Sequence, residues 1–176
     1  MKMSGTKKLI ITALCIAMCI VLPMAFHTIP NAGNIFTPMH IPVLLCGLTV
    51  GAPYGLLCGL TGPFLSSILT SMPPAAVLPS MMLECAVYGA VTGLLIRRVH
   101  TKSTYVDLYL SLIAALLLGR IAGGIAKALI FSAGEYAAAM WITGYFITCL
   151  PGLLIQLIMI PSIVFALLKA GLVQRL

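Results

Sequence analysis

A chain of 176 residues that is 61% hydrophobic and only 7% charged, with a mean hydropathy of +1.16, exceeds the roughly 45–50% apolar content of soluble domains and excludes water as its main solvent. At about 20 apolar residues per membrane crossing, this length holds several spans as one domain over residues 1–176, with no room for a separate catalytic or nucleotide-binding domain. The net charge of +7 comes from basic residues scattered singly or in pairs. It lacks the basic stripe interleaved with aromatics that nucleic-acid binding needs, so the lipid bilayer is the expected charged partner.

The opening segment "MKMSGTKKLIITALCIAMCIVLPMAF" sets basic residues before an apolar run. That run is longer than the ~7–15 residues of a signal-peptide core and has no clean small-x-small cleavage site. It is expected to stay as the first transmembrane helix. Apolar runs broken by proline, glycine or charge predict six transmembrane helices, at residues 9–26, 40–52, 54–71, 75–95, 108–131 and 140–168, hence an all-α integral membrane protein built as a helix bundle. From residue 41 to 52 the second rises about 18 Å, short of a ~30 Å hydrocarbon core, and is expected to be tilted or extended by the preceding loop. Pro53 in "GAPYG" separates it from the third helix, because proline removes a donor and clashes with the preceding turn. A single kinked helix is the competing reading.

The basic residues arbitrate. Lys2, Lys7 and Lys8 precede the first span, Arg97, Arg98 and Lys102 follow the fourth, and Lys169 and Arg175 follow the last. Cytoplasmic loops are enriched in Lys and Arg, and six spans put all of these on one side. Both termini are therefore expected in the cytoplasm.

The other two basic residues, Arg120 and Lys127, lie inside an apolar run, as does Glu84. Ionisable groups at membrane depth usually mark a solute pathway. The expected topology puts Glu84 roughly 14 Å below the outer end of the fourth span and Arg120 near mid-depth, with Lys127 closer to the outer surface. Arg120 and Lys127 are seven residues apart and share a helix face. Together they describe a polar pocket open to the outside. The competing readings are a structural Glu84–Arg120 ion pair and a Lys127 that snorkels to the headgroups.

Asn31, Gly33, Asn34, Thr37 and His40 lie in a polar stretch before the second span and suit a lid; "TSMPPAAVLPSM" is a second candidate lid. Tyr88, Trp141, Tyr145 and Gln156 are candidate pocket residues, although Trp141 and Tyr145 also fit an interfacial aromatic belt. His27 and His40 have no third ligand at suitable spacing, so no metal site is expected. The six cysteines form no CxxC pair and are expected to be small buried hydrophobes. No HExxH, GxSxG or Walker motif occurs, and none of the carboxylates are closely paired, so no enzyme activity is expected. Small residues recur four apart at Ala13/Ala17, Gly47/Gly51, Gly55/Gly59, Gly89/Gly93 and Gly119/Gly123. Such faces let helix backbones approach closely in lipid, and the first of them is near enough to the cytoplasmic end to meet an outside partner.

The N-terminal "TALCIAMCIVLP" with Ala13 and Ala17, the run "MHIPVLLCGLTVGAPYGLLCGLTGPFLSSILTSMPP" and "GRIAGGIAKAL", taken with six short helices, resemble the S component of an energy-coupling factor (ECF) transporter. The resemblance covers essentially the whole chain. It implies a substrate-capture subunit for a vitamin or vitamin precursor in the cell membrane of a prokaryote. It also implies docking through the Ala13/Ala17 face onto a transmembrane coupling protein driven by two ATPases, with ATP used there and no cofactor in this chain. The nickel and cobalt branch of that family begins its mature chain with Met-His; here "MHIP" is internal, which disfavours that branch. "PMHIPVLLCG" and "LTSMPP" look most like pantothenate-type or unassigned members, with thiamine precursors and pyridoxine still open. In such a pocket Arg120 or Lys127 would take a carboxylate, and Glu84 would accept from hydroxyl or amide groups. Asn34, His40, Tyr88 and Gln156 complete the expected substrate-binding set. A stand-alone secondary carrier with Glu84 as proton relay, or a scaffold with purely structural charges, are the rival classes.

Overall fold

The computed structural model describes residues 3–26, 32–101, 103–131 and 138–171. His27, Asn31, Lys2, Lys102 and Arg175, named above, lie outside them, as does Glu135. All regular structure in the described residues is helical: α1 (Gly5–Ala25), α2 (Ala32–Phe36), α3 (His40–Val50), α4 (Ala52–Thr70), α5 (Leu78–Arg98), α6 (Thr104–Phe131), α7 (Ala138–Ile142), a π-helical turn (Thr143–Ile147) and α8 (Leu150–Lys169). Among the described residues six segments are long and apolar enough to cross a membrane, the second being Gly33–Val50, which joins α2 to α3. The short second span is thus lengthened by the preceding segment.

The last predicted span requires correction. Residues 140–168 are not one helix, because the chain passes through the π turn and restarts at Leu150, with Cys149 as its N-cap and Pro151 in its first turn. Proline suits that first turn, where its missing N–H would have had no partner, and cannot continue a preceding helix.

The boundary between α3 and α4 falls at Gly51, whose φ of 114° favours a residue without a side chain. Val50, the last residue of α3, offers a carbonyl beyond the helix ladder, and Arg97 Nη2 donates to it at 2.7 Å. The break at Pro53 is therefore a true helix boundary, and the single kinked helix is not formed.

α3 is the centre of the bundle. In the Gly33–Val50 segment 78% of residues are buried, against 22% for α1 and 28% for α8, and all of α3 from His40 to Val50 is buried. α1, α4, α5 and α8 pack on it, with α6 held against α5. Backbones touch where α5 crosses α4: a Cβ on Gly89 would collide with the backbone of Gly55, and one on Gly59 with that of Cys85. Such contact supplies dispersion where lipid removes any hydrophobic drive between helices. Large apolar side chains left exposed, including Leu14, Ile68, Leu117 and Ile158, cover the rim of the bundle. All six cysteines are free and buried.

The two ends of the bundle differ. Lys8 lies over the Tyr54 ring and Arg97 caps α3. At the same end Tyr105 of α6 stacks on Phe165 of α8, with ring centroids 4.1 Å apart. Lys7, Arg98 and Lys169 belong to this end by sequence proximity. The opposite end carries the N-termini of α3, α5 and α8 and the C-terminal half of α6.

Candidate functional site

At that opposite end lies a cavity of about 320 Å³, at the small end of the range for small-molecule sites. α5 faces it with Ser80, Met81 and Glu84, preceded by its N-cap Val77, positions at helical spacing on one face. α6 contributes Arg120 and Lys127, and the α2–α3 segment contributes Gly33, Asn34, Thr37 and His40. Gly144, Tyr145, Thr148 and Cys149, from the π turn and the start of α8, close the far wall.

Glu84 is 5% exposed and Arg120 is 1% exposed, yet among the described residues no carboxylate and basic group form an ion pair. Glu84 instead accepts a hydrogen bond at Oε1 from the Tyr88 hydroxyl at 2.5 Å. Tyr88, one turn further along α5, is itself fully buried, and its ring meets that of His40 edge-on at 4.9 Å. Arg120 Nη1 donates to the Tyr145 carbonyl of the π turn, and its guanidinium sits 5.8 Å from the Phe146 ring. Trp141 Nε1 donates to the Arg120 carbonyl at 3.2 Å. Lys127, half-buried, stands 5.6 Å from the centroid of the Tyr145 ring, an arrangement of cation over π face.

The π turn has a direct local role. Its wider winding lets Thr148 N–H bond to Thr143 O at 2.9 Å, five residues back, and brings the Tyr145 carbonyl to Arg120. Such insertions into helices are frequent at functional sites.

Two glycines of α6 do not serve backbone packing, unlike the Gly55–Gly89 contact. The space beside Gly119 is filled by the Tyr88 ring, and that beside Gly123 by the Glu84 side chain, whose Oε2 would lie 2.9 Å from an added Cβ. This face of α6 is a seat for the polar residues of α5.

Of the residues singled out from the sequence, Glu84, Arg120, Lys127, Asn34 and His40 line the cavity. Tyr88 does not; it sits behind Glu84. Gln156 does not either: buried in α8, it donates from Nε2 to Thr37 Oγ1 at 2.7 Å and so anchors the segment carrying Thr37, whose φ is 44°. Trp141 lies outside the lining, while Tyr145 belongs to it. Ala13 and Ala17 lie on the exposed face of α1, between Leu9, Ile10, Leu14 and Val21. Sequence reading missed Gly144, Thr148 and Cys149 as lining residues. The signal available was the polar cluster "TGYFITC" interrupting the last apolar run.

Among the described residues several buried polar atoms have no hydrogen-bond partner: both ring nitrogens of His40, Nε and Nη2 of Arg120, and Oε1 of Gln156. Leaving such a group unsatisfied costs about 1–3 kcal/mol, more when it is charged. Those of His40 and Arg120 belong to residues that line the cavity.

A six-span membrane protein with a polar cavity lined by buried charges at one end is in class a membrane binding or transport protein. Residues 7–174 match the family described as ECF transporter, substrate-specific component; the chain belongs to that family, and is a transporter subunit rather than an enzyme. Its partners are accordingly an ECF module and a small substrate. Comparisons with curated proteins and with solved structures found no match.

Proposed function

We propose that this chain captures a vitamin or vitamin precursor for ATP-driven import, with pantothenate or a similar small polar vitamin as the best candidate. The observation that carries the reading is the set of buried nitrogens on His40 and Arg120 that have no partner among the described residues, both residues lining one cavity with Glu84 and Lys127. A structural role for these charges would pair them with each other, and Glu84 and Arg120 are not paired. Asn34, Tyr88 and Gln156 assist from the mouth and from behind the lining.

In this reading the basic end of the bundle faces the cytoplasm of a prokaryotic cell with both termini, and the cavity opens outward. Ala13 and Ala17 provide the docking face for the transmembrane coupling protein of the module, whose two ATPases supply the energy. The small side chains on an exposed, otherwise bulky apolar helix face support that assignment.

The test is thermal unfolding of the purified chain in detergent against a panel of B-vitamins and precursors. A ligand present at ~100 times its dissociation constant stabilises by about 2.7 kcal/mol, so the true substrate is expected to raise the transition clearly. A flat response to the whole panel would sink the capture role. Proton-driven uptake by this chain alone, without its module, would point to a secondary carrier instead.

A further inference from the structure

The hydrogen-bonding state of the cavity's charged residues narrows the class of molecule it takes. Arg120 commits Nη1 to the Tyr145 carbonyl, while Nε and Nη2 have no partner among the described residues. Those two nitrogens form one edge of the guanidinium plane, and their N–H bonds run parallel. The two oxygens of a carboxylate match that fork, with both donors satisfied at once. A lone carbonyl or hydroxyl would fill one position and leave the other donor buried and unsatisfied.

Lys127 is suited to a different task. It is half-buried, already sits over the Tyr145 ring, and offers a point charge rather than a planar fork. Glu84 has the opposite polarity: its Oε1 is taken by Tyr88, and Oε2 lies beside Gly123, where it can accept from a ligand hydroxyl or amide. His40 adds two unpartnered ring nitrogens, one donor and one acceptor when the ring is neutral. Among the described lining residues the formal charges are two cations and one carboxylate. One further negative charge balances them; a zwitterion leaves one positive charge over, and a dianion overshoots.

Resting on the capture role proposed above, we infer that the cavity selects a monocarboxylate. Its carboxylate lies bidentate on the Nε–Nη2 edge of Arg120, and its hydroxyl or amide donors face Glu84 and His40. Arg120, rather than Lys127, is the specificity-determining residue.

The experiment is calorimetric titration of the full chain in lipid nanodiscs with matched acid and neutral probes: pantothenate against panthenol, nicotinate against nicotinamide, biotin against its methyl ester. Thiamine, riboflavin and pyridoxine serve as vitamins without a carboxylate. One acid is expected to bind, with its neutral counterpart weaker by roughly 100-fold or more, since a site built for a hydrogen-bonding group rejects the analogue that lacks it. R120K is expected to weaken the acid by a similar factor and leave the neutral probe unchanged, so that their ratio falls toward one. Should R120K not fold, the matched pair on the unaltered chain still decides. Equal affinity within the pair, or binding of thiamine, riboflavin or pyridoxine while the acids stay silent, overturns the carboxylate assignment and leaves the capture role standing. Silence across every probe overturns both.

Discussion

Gly123 governs where the Glu84 carboxylate points. An added methyl would press on Oε2 and Cβ of Glu84, and the end of a flexible side chain yields more readily than a helix backbone. Gly123→Ala is therefore expected to displace the carboxylate and leave the bundle folded. Losing one hydrogen bond to a charged group is worth about 1.5–3 kcal/mol, or roughly ten- to a hundredfold in affinity. Titration of the substrate found by the vitamin screen, with the melting transition of the unliganded variant as control, checks this; unchanged affinity would show that Glu84 does not touch the ligand. Glu84, Arg120 and Lys127 were legible in the sequence because charge in an apolar run is costly and therefore conspicuous. Thr148 and Cys149 were not, since such residues are ordinary in membrane helices and only their position beside the cavity singles them out. Glu84 and Tyr88, four apart, can be read as neighbours on one helix face, but nothing local says that Gly119 and Gly123 of another helix make room for them.

α1 and α3 show how the same apolar composition leads to opposite surroundings. α3 is buried throughout, whereas α1 buries chiefly Thr12, Cys15 and Cys19 and leaves Ala13 and Ala17 outward. An exposed small-residue step on a lipid-facing helix suits close contact with a second membrane protein. Ala17→Trp is expected to abolish co-purification with the ECF module while ligand binding by the isolated chain is retained, because Ala17 points outward from the bundle and does not line the cavity. Assembly that survives the bulky side chain would move the docking face elsewhere. The π turn is the element least visible beforehand. The cluster "TGYFITC" interrupts the apolar run only weakly, and the break also involves Arg120 reaching the Tyr145 carbonyl and Pro151 at the restart of α8.

Across the whole molecule, the basic end and the cavity end lie at opposite poles, and the proposed orientation follows from that polarity. With the native cysteines buried, single engineered cysteines can report it. Asn34→Cys, at the exposed mouth, is expected to react with a membrane-impermeant maleimide in intact cells, and Lys169→Cys only after permeabilisation. The reverse pattern would invert the topology and place the cavity on the cytoplasmic side.

Hydropathy and the placement of Lys and Arg, both local sums over the chain, determined by themselves that this protein crosses the membrane six times and carries three charges where lipid forbids them. Tertiary structure alone decided that those charges share a cavity without an ion pair between Glu84 and Arg120, that Tyr88 and Gln156 support the wall rather than form it, and that the last span is broken. Those outcomes depend on which helix faces meet and on where a glycine or a turned carbonyl leaves room. Such distances between segments remote in sequence have no signature in the order of residues along any one of them.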